Sequence, residues 1–385
     1  MKNRLVRLVA GGLLLARGGF AADLQLKYVV IVTRHGVRSP TWDASRLNQY
    51  SAEPWPEWGV PPGNLTPHGR RAMELMGAYY RGWLSDERLI NLKTCQDASR
   101  ITIYADKDQR TIETGRALAE TLLPGCGLKT ASQPNGSSDP LFSGTFTADP
   151  QRSEQAVRER LDPQLLQHHR EAFEALQYIL GPAKSKIVDP GAEVVKGPFA
   201  TGSTLSENLL LEYTNGMADP GWGRLTRESL EEVMEIHTAY ADLMRRTPYL
   251  ARRGSNLLAT IVHSVEQAAS GHPINGALGK AGDALLVIAG HDTNLSNLSG
   301  LLGLSWLLEG YQPDDTPPGG ALIFSLWQDA TGVLSVRLRF VAQTLDQMRN
   351  LESGPPRSKE VSIPGCEPCT PVRLERILES IASQK

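Results

Sequence analysis

The chain has 385 residues, 41% of them hydrophobic and 21% charged, with a formal net charge of −2. That composition is globular and rules out a disordered or collagen-like chain. The near-neutral balance excludes a broad polyanion-binding face, so nucleic acid is not an expected partner, and any anion must meet a local cluster of positive charge.

Lys2, Arg4 and Arg7 precede a short apolar stretch, Leu8 to Leu15, and small residues follow at Gly19 to Ala22. This is the pattern of a secretory signal peptide over residues 1–22, too short to span a membrane. Its removal takes away Lys2, Arg4, Arg7 and Arg17 and no acid. No later segment approaches 18 consecutive apolar residues, so the mature protein is expected without a membrane span, in the periplasm or secreted. The four cysteines, Cys95, Cys126, Cys366 and Cys369, fit an oxidising compartment. Closeness in sequence favours Cys95 with Cys126 and Cys366 with Cys369, although Cys-Glu-Pro-Cys spacing also suits a redox pair or half a zinc site.

Lys27 to Thr33 is a β-branched apolar run that predicts a buried strand and stops at Arg34-His35-Gly36. An aromatic, proline-rich loop lies between Pro54 and Gly63. Thr66 offers a helix N-cap, with Pro67 opening a helix to about Trp83. Ile101 to Ala105 predicts a second strand, and helical periodicity resumes at Arg110 and ends before Pro124. Residues 131–265 read as an inserted, mostly helical lobe, with amphipathic stretches at Gln155 to Leu180 and Glu228 to Arg246. Leu285 to Ala289 predicts a third buried strand, ending at Gly290-His291-Asp292. Ala321 to Gln328 and Val333 to Val341 flank a short turn, a hairpin signal. Strands alternating with helices indicate an α/β core, built from residues 23–130 and 266–385.

Three strand ends carry the chemistry. In Arg34-His35-Gly36-Val37-Arg38-Ser39-Pro40-Thr41, a histidine flanked by two arginines follows a buried strand. Ligands of open α/β sheets bind beyond the carboxyl ends of strands. Guanidinium forks suit a phosphate dianion, and a neutral imidazole can attack phosphorus. Gly290-His291-Asp292-Thr293-Asn294 offers a further donor in His291 and a proton source in Asp292, or else a turn capping the next helix. Arg110, at the start of a helix, can complete a three-arginine clamp. His68, His168, His169, His237, His263 and His272 show no partners at metal-ligand spacing, and Tyr79, Tyr80 and Trp83 read as core or helix-face residues.

RHGVRSPT, DQRT and HDTNL together resemble the histidine acid phosphatase family, on its phosphoglycerate-mutase-like fold. PGWGRL at Pro220 to Leu225 and IPGC at Ile363 to Cys366 resemble its bacterial phytase and acid-phosphatase members. The resemblance implies a mostly parallel sheet flanked by helices, with a smaller helical domain roofing the pocket. It implies His35 as the nucleophile, Asp292 as the proton donor, and Arg34, Arg38, Thr41, Arg110 and His291 as phosphate contacts. It implies no metal and no other cofactor, a small phosphate monoester such as phytate or a sugar phosphate as substrate, and an acidic optimum. A monomer is expected. Trp42 departs from the lysine that bacterial phytases carry there, which favours a glucose-1-phosphatase-like alternative. His-Asp-Thr-Asn points back toward phytases. Glu207 falls where related phytases place a pocket acid, and equally where a capping box with Thr204 would put one. A phosphoglycerate-type mutase shares the Arg-His-Gly element but not the leader, the paired cysteines or the His-Asp dipeptide.

Overall fold

The structure is a computed structural model that describes residues 24–134, 136–182, 185–188 and 193–383. The proposed leader at 1–22 lies outside the described residues.

Seven strands form one sheet in the order β3-β2-β4-β1-β5-β6-β7. They are β1 (Gln25–Arg34), β2 (Ile101–Ala105), β3 (Thr130–Ser132), β4 (Leu285–Gly290), β5 (Ala321–Gln328), β6 (Leu334–Ala342) and β7 (Arg357–Val361). β1, β2, β3 and β4 are parallel, while β5, β6 and β7 continue the sheet as an antiparallel meander. Five strands therefore point one way, and the parallel half carries the three motif-bearing ends.

The alternation of strand side chains sorts the core onto two faces. Val29 and Ile31 of β1 join Leu285, Val287 and Ile323 under helices α1 (Pro67–Asp86) and α2 (Gln109–Leu122). Val30 and Val32 join Leu286, Ile288 and Phe324 on the opposite face. Both faces of β1 and β4 are covered, which is why their sequences are unbroken apolar runs. Thr66 caps α1 by accepting from Gly69 N at 2.8 Å, with Pro67 at the first position.

Between β3 and β4 the described residues contain helices and no strand. Among them are α3 (Arg170–Leu180), α4 (Ala200–Thr214), α5 (Arg227–Met244) and α6 (Ser255–Ser270). α3, α4 and α5 build a separate apolar cluster around Leu176, Phe199, Leu209 and Val233. The helix expected over Gln155 to Leu180 is broken, with one helix ending at Arg160 and α3 beginning at Arg170. Pro163 lies in the gap, and a proline there disfavours helix at the residue before it. Phe142 and residues Leu257, Ile261 and Val265 of α6 pack into the sheet's own cluster. Both ends of the helical insertion are thus anchored to the core. Further on lie α7 (Asp292–Leu302) and α8 (Pro371–Ser383).

Both expected disulfides form, Cys95–Cys126 and Cys366–Cys369, with Cα separations of 5.3 and 4.4 Å. No described helix is long and apolar enough to cross a membrane.

Candidate active site

Strand register brings the motifs together. Arg34 of β1 lies opposite Gly290 of β4, and Ala105 of β2 lies opposite Ala289. The ladder continues one step beyond the strands: His35 N donates to Gly290 O at 2.9 Å, and Asp106 N donates to Ala289 O at 3.0 Å. Three strand ends far apart in sequence, at Arg34, Ala105 and Gly290, therefore emerge level with one another. The rings of His35 and His291 stand 5.5 Å apart, edge to face at 73°.

His35 is 2% exposed. Its Nδ1 lies 2.8 Å from Gly36 O. A carbonyl oxygen can only accept, so Nδ1 carries the hydrogen and Nε2 keeps its lone pair. Burial, followed by the charges of Arg34, Arg110, His291 and Arg38, holds the imidazole well below its ordinary pKa. The surroundings of His35 therefore disfavour its protonated form.

The loop holding it is fixed by close backbone approach. Gly36 N donates to Thr114 Oγ1 at 3.0 Å, and Thr66 N donates to Val37 O at 3.0 Å. A Cβ on Gly36 would lie 2.7 Å from Met73 Cγ and 2.9 Å from Gly69 O, so only glycine fits.

The arginines converge as expected. Arg34 is fully buried, donating to Thr316 O at 2.7 Å and to Glu207. Arg38 donates to the second oxygen of Glu207 at 2.9 Å. Arg110, one residue into α2, donates to Gly63 O at 3.3 Å and pairs with Asp108 at 2.5 Å. The Nε groups of Arg34 and Arg110 are buried without a hydrogen-bond partner among the described residues, donors that an oxyanion would satisfy. Thr41 is exposed, and its Cγ2 flanks Gly63 together with the Arg110 guanidinium.

His291 Nε2 lies 2.7 Å from Asp106 Oδ2, while its Nδ1 lies 3.3 Å from Arg110 Nη2. A guanidinium only donates, so the neutral ring has its hydrogen on Nε2, directed at Asp106. Burial raises the Asp106 pKa, but the hydrogen bond from His291 and that from the Lys107 backbone outweigh it and leave the carboxyl below its ordinary value. Asp292 is the first residue of α7, where the helix dipole favours a carboxylate. Its carboxylate pairs with Arg245, which follows α5 directly.

Three of these residues were not assigned from sequence: Asp106, Arg245 and His237. Asp106 sits within Tyr-Ala-Asp-Lys-Asp-Gln-Arg, where two acids compete for the role and only the strand end selects one. His237 lies in α5 and Arg245 directly follows it, with no motif around either. His237 is 2% exposed; its Nδ1 contacts the Ser203 hydroxyl and carbonyl, and its Nε2 has no partner. Glu207 is resolved as a pocket acid. It lies mid-way along α4, bridging two arginines, and Thr204 bonds Ala200 O, so the capping-box reading is wrong because the helix starts four residues earlier.

Two clusters have carboxylate and imidazole atoms within 4.8 Å of one another: Asp106, Asp108 and His291, and Glu207, His237 and Asp292. Guanidiniums already interleave both, Arg110 in the first and Arg34, Arg38 and Arg245 in the second. A cation would have to enter against that charge. Their chemistry suits an anion.

A buried imidazole ringed by three guanidiniums, at the carboxyl ends of parallel strands, defines a phosphoryl-handling enzyme. The model of the histidine phosphatase superfamily (branch 2) matches residues 25–182. Phytase AppA of Escherichia coli (strain K12) is 33% identical over 90% of this chain and 88% of its own. A glucose-1-phosphatase of Salmonella typhimurium is 27% identical over 95% and 94%. The solved Hafnia alvei phytase in complex with myo-inositol hexakis sulphate superposes with a TM-score of 0.84 at 33% identity, covering 93% of this chain and 97% of that one. The chain belongs to the histidine phosphatase superfamily, branch 2, and is a phosphoric monoester hydrolase of the histidine acid phosphatase type.

Proposed function

We propose that the protein is an exported phosphomonoesterase acting on phytate or small phosphate monoesters through a phosphohistidine intermediate. The observation that carries this reading is the His35 tautomer, a buried Nε2 lone pair among Arg34, Arg38 and Arg110. The arginines and His291 bind the phosphate, with Thr41 a further polar contact at the rim. In the first step His35 Nε2 bonds to phosphorus as the bond to the leaving oxygen breaks, and Asp292 gives that oxygen its proton. In the second, water attacks phosphorus, the phosphorus–Nε2 bond breaks, and Asp292 takes the water's proton. Three guanidiniums and an imidazole supply the charge stabilisation that a metal supplies elsewhere. Asp292 must be protonated for the first step, so the optimum is acidic.

The sugar-phosphatase reading has its own support. Trp42 presents a flat ring covered by the Arg46 guanidinium at 3.5 Å, where an ammonium would favour a polyphosphorylated leaving group. The leader-like residues 1–22 and the two disulfides support a periplasmic or secreted enzyme, and the net charge of −2 supports a small-molecule rather than a nucleic-acid partner.

The test is His35→Ala. Hydrolysis of p-nitrophenyl phosphate is expected to fall at least ~1,000-fold, with EDTA leaving the wild type unaffected. Turnover by the variant near the wild-type rate would refute the nucleophile. Rates on phytate and glucose 1-phosphate, compared on the same preparation, decide the substrate.

A further inference from the structure

Among the described residues, each basic side chain of the site has an internal carboxylate partner. Glu207 serves Arg34 and Arg38, Asp108 serves Arg110, and Asp106 serves His291. The remaining cation, Arg245, is held by Asp292. This pair differs from the others because its carboxylate is the proposed proton donor. An acid that must carry a proton is clamped, ionised, by a guanidinium.

The surroundings leave the clamp in control. Besides Arg245, the charged and titratable groups acting on Asp292 are Arg34 from β1, Arg110 from α2, Glu207 from α4, His237 from α5 and Asp315 from the loop before β5. Arg34 directs Nη1 and Nη2 to Thr316 and Glu207. His237 Nδ1 contacts Ser203, and one of its ring nitrogens lies within 4.8 Å of the Asp292 and Glu207 carboxylate oxygens. Among the described residues, Arg245 alone hydrogen-bonds the Asp292 carboxylate. Burial favours the protonated acid, but the charge of Arg245, then those of Arg34 and His237, hold the carboxyl well below its ordinary range. The Arg245 side chain is 19% accessible and that of Asp292 13%, close to the 19% of Arg110 and 17% of His291. The clamp therefore opens to the same solvent that a phosphate enters from.

We propose that Arg245 is a positioning residue for the proton donor: it pins Asp292 in the empty site and turns to the phosphate when a dianion arrives, leaving Asp292 to take up a proton. A dianion competes for a guanidinium better than a carboxylate does, and its own charge disfavours a second anion beside it. The enzyme then arms its acid only when a substrate is present. The inference rests on Asp292 being the proton donor.

The sign of the test follows. Without the guanidinium, the free-enzyme carboxyl titrates at higher pH, so activity that needs the protonated form persists further into the neutral range. In Arg245→Gln, the alkaline limb of kcat/KM on p-nitrophenyl phosphate is expected to move up by about one pH unit, a tenfold relative gain on that limb. Arg245→Lys, which keeps the charge, is expected to hold the limb near its wild-type position. The substrate's own ionisation is common to all three enzymes. An unmoved limb with a uniformly lower rate would make Arg245 merely structural and overturn the proposal.

A second measurement needs no Arg245 variant. Sulfate has no titrating proton near pH 5, so calorimetry of sulfate binding in buffers of different ionisation enthalpy reads protons taken up by the enzyme. The wild type is expected to take up about one proton more than Asp292→Asn; equal uptake would overturn the proposal. Asp292→Asn also separates the two readings. Wild-type turnover in that variant would sink the proton-donor assignment itself. A slow Asp292→Asn beside an unmoved limb in Arg245→Gln would sink the clamp alone.

Discussion

Glu207 and Arg38 meet at 2.9 Å, with the second oxygen of the same carboxylate on Arg34. One buried acid thus occupies both forks of the phosphate cradle. Burial pushes its pKa up, but Arg38 and Arg34 outweigh that and hold the carboxyl below its ordinary range. The acid keeps two buried guanidiniums folded at their posts, and it competes with the ligand they are meant for.

Glu207→Gln should therefore separate stability from affinity. Removing one member of a buried charged set costs about 3–5 kcal/mol, because the partner charges are left uncompensated. Thermal unfolding without ligand is expected to reveal that loss. Inorganic phosphate should restore more stability to the variant than to the wild type, since binding to the native state adds RT ln(1 + [L]/Kd). The inhibition constant of phosphate is expected to fall by about tenfold, the ~1.4 kcal/mol of a modest charge competition. Unchanged phosphate inhibition would show that Glu207 does not stand in the ligand's place.

The second expectation concerns Gly69, in the first turns of α1. A Cβ there would lie 2.1 Å from Val37 O and 2.8 Å from Val37 C and N. These are backbone atoms of the segment joining His35 to Arg38, so no side chain can yield to relieve the clash. Gly69→Ala is expected to cost about 1–3 kcal/mol and to displace the nucleophile loop, lowering kcat/KM by up to ~100-fold. Gly82 in the same helix has nothing within 4 Å of its would-be Cβ. Gly82→Ala should leave activity intact and stabilise the helix by about 0.5–1 kcal/mol. Equal effects of the two substitutions on kcat/KM would show that the close approach at Gly69 does not position the loop.

What was legible in the sequence follows from the same physics. His35 and His291 each follow directly on a buried run of strand, Tyr28 to Arg34 and Leu285 to Gly290, so local pattern alone placed them at strand ends. Parallel register then had little freedom but to bring them level. The hairpin of β5 and β6 was legible from its turn residues. The edge strand β7 was not, because Arg357 to Glu360 are exposed and carry no apolar alternation. Arg245 and Arg246 show the limit most clearly. They are adjacent and chemically identical, yet Arg245 turns to Asp292 while Arg246 turns to Asp242, Asp314 and Leu304 O. Helical phase and the seating of the inserted helices against the sheet decide between them, and neither is written in the two residues. Glu207 stayed between two readings in the sequence, since its partners are 173 and 169 residues away.

The last expectation concerns an acid outside the catalytic cup. Glu212 of α4 is 1% exposed, and it accepts from Gly221 N at 2.8 Å with one oxygen while the other has no partner among the described residues. Burial raises its pKa to about 7 from 4.5, against a smaller opposing effect of the Gly221 hydrogen bond. No cation neutralises it, so the folded state prefers the protonated acid. Between about pH 4.5 and 7 the native state then holds a proton that the unfolded chain has released. The contribution of Glu212 to stability is thus fully present below the lower pH and is lost as pH rises through the higher one, by about 3 kcal/mol in all. Glu212→Gln keeps the acceptor for Gly221 and removes the titration. The variant should match the wild type at pH 4.5 and exceed it at pH 8, in urea or thermal unfolding at each pH. A stability difference that is the same at both would mean that Glu212 is not held protonated by its burial.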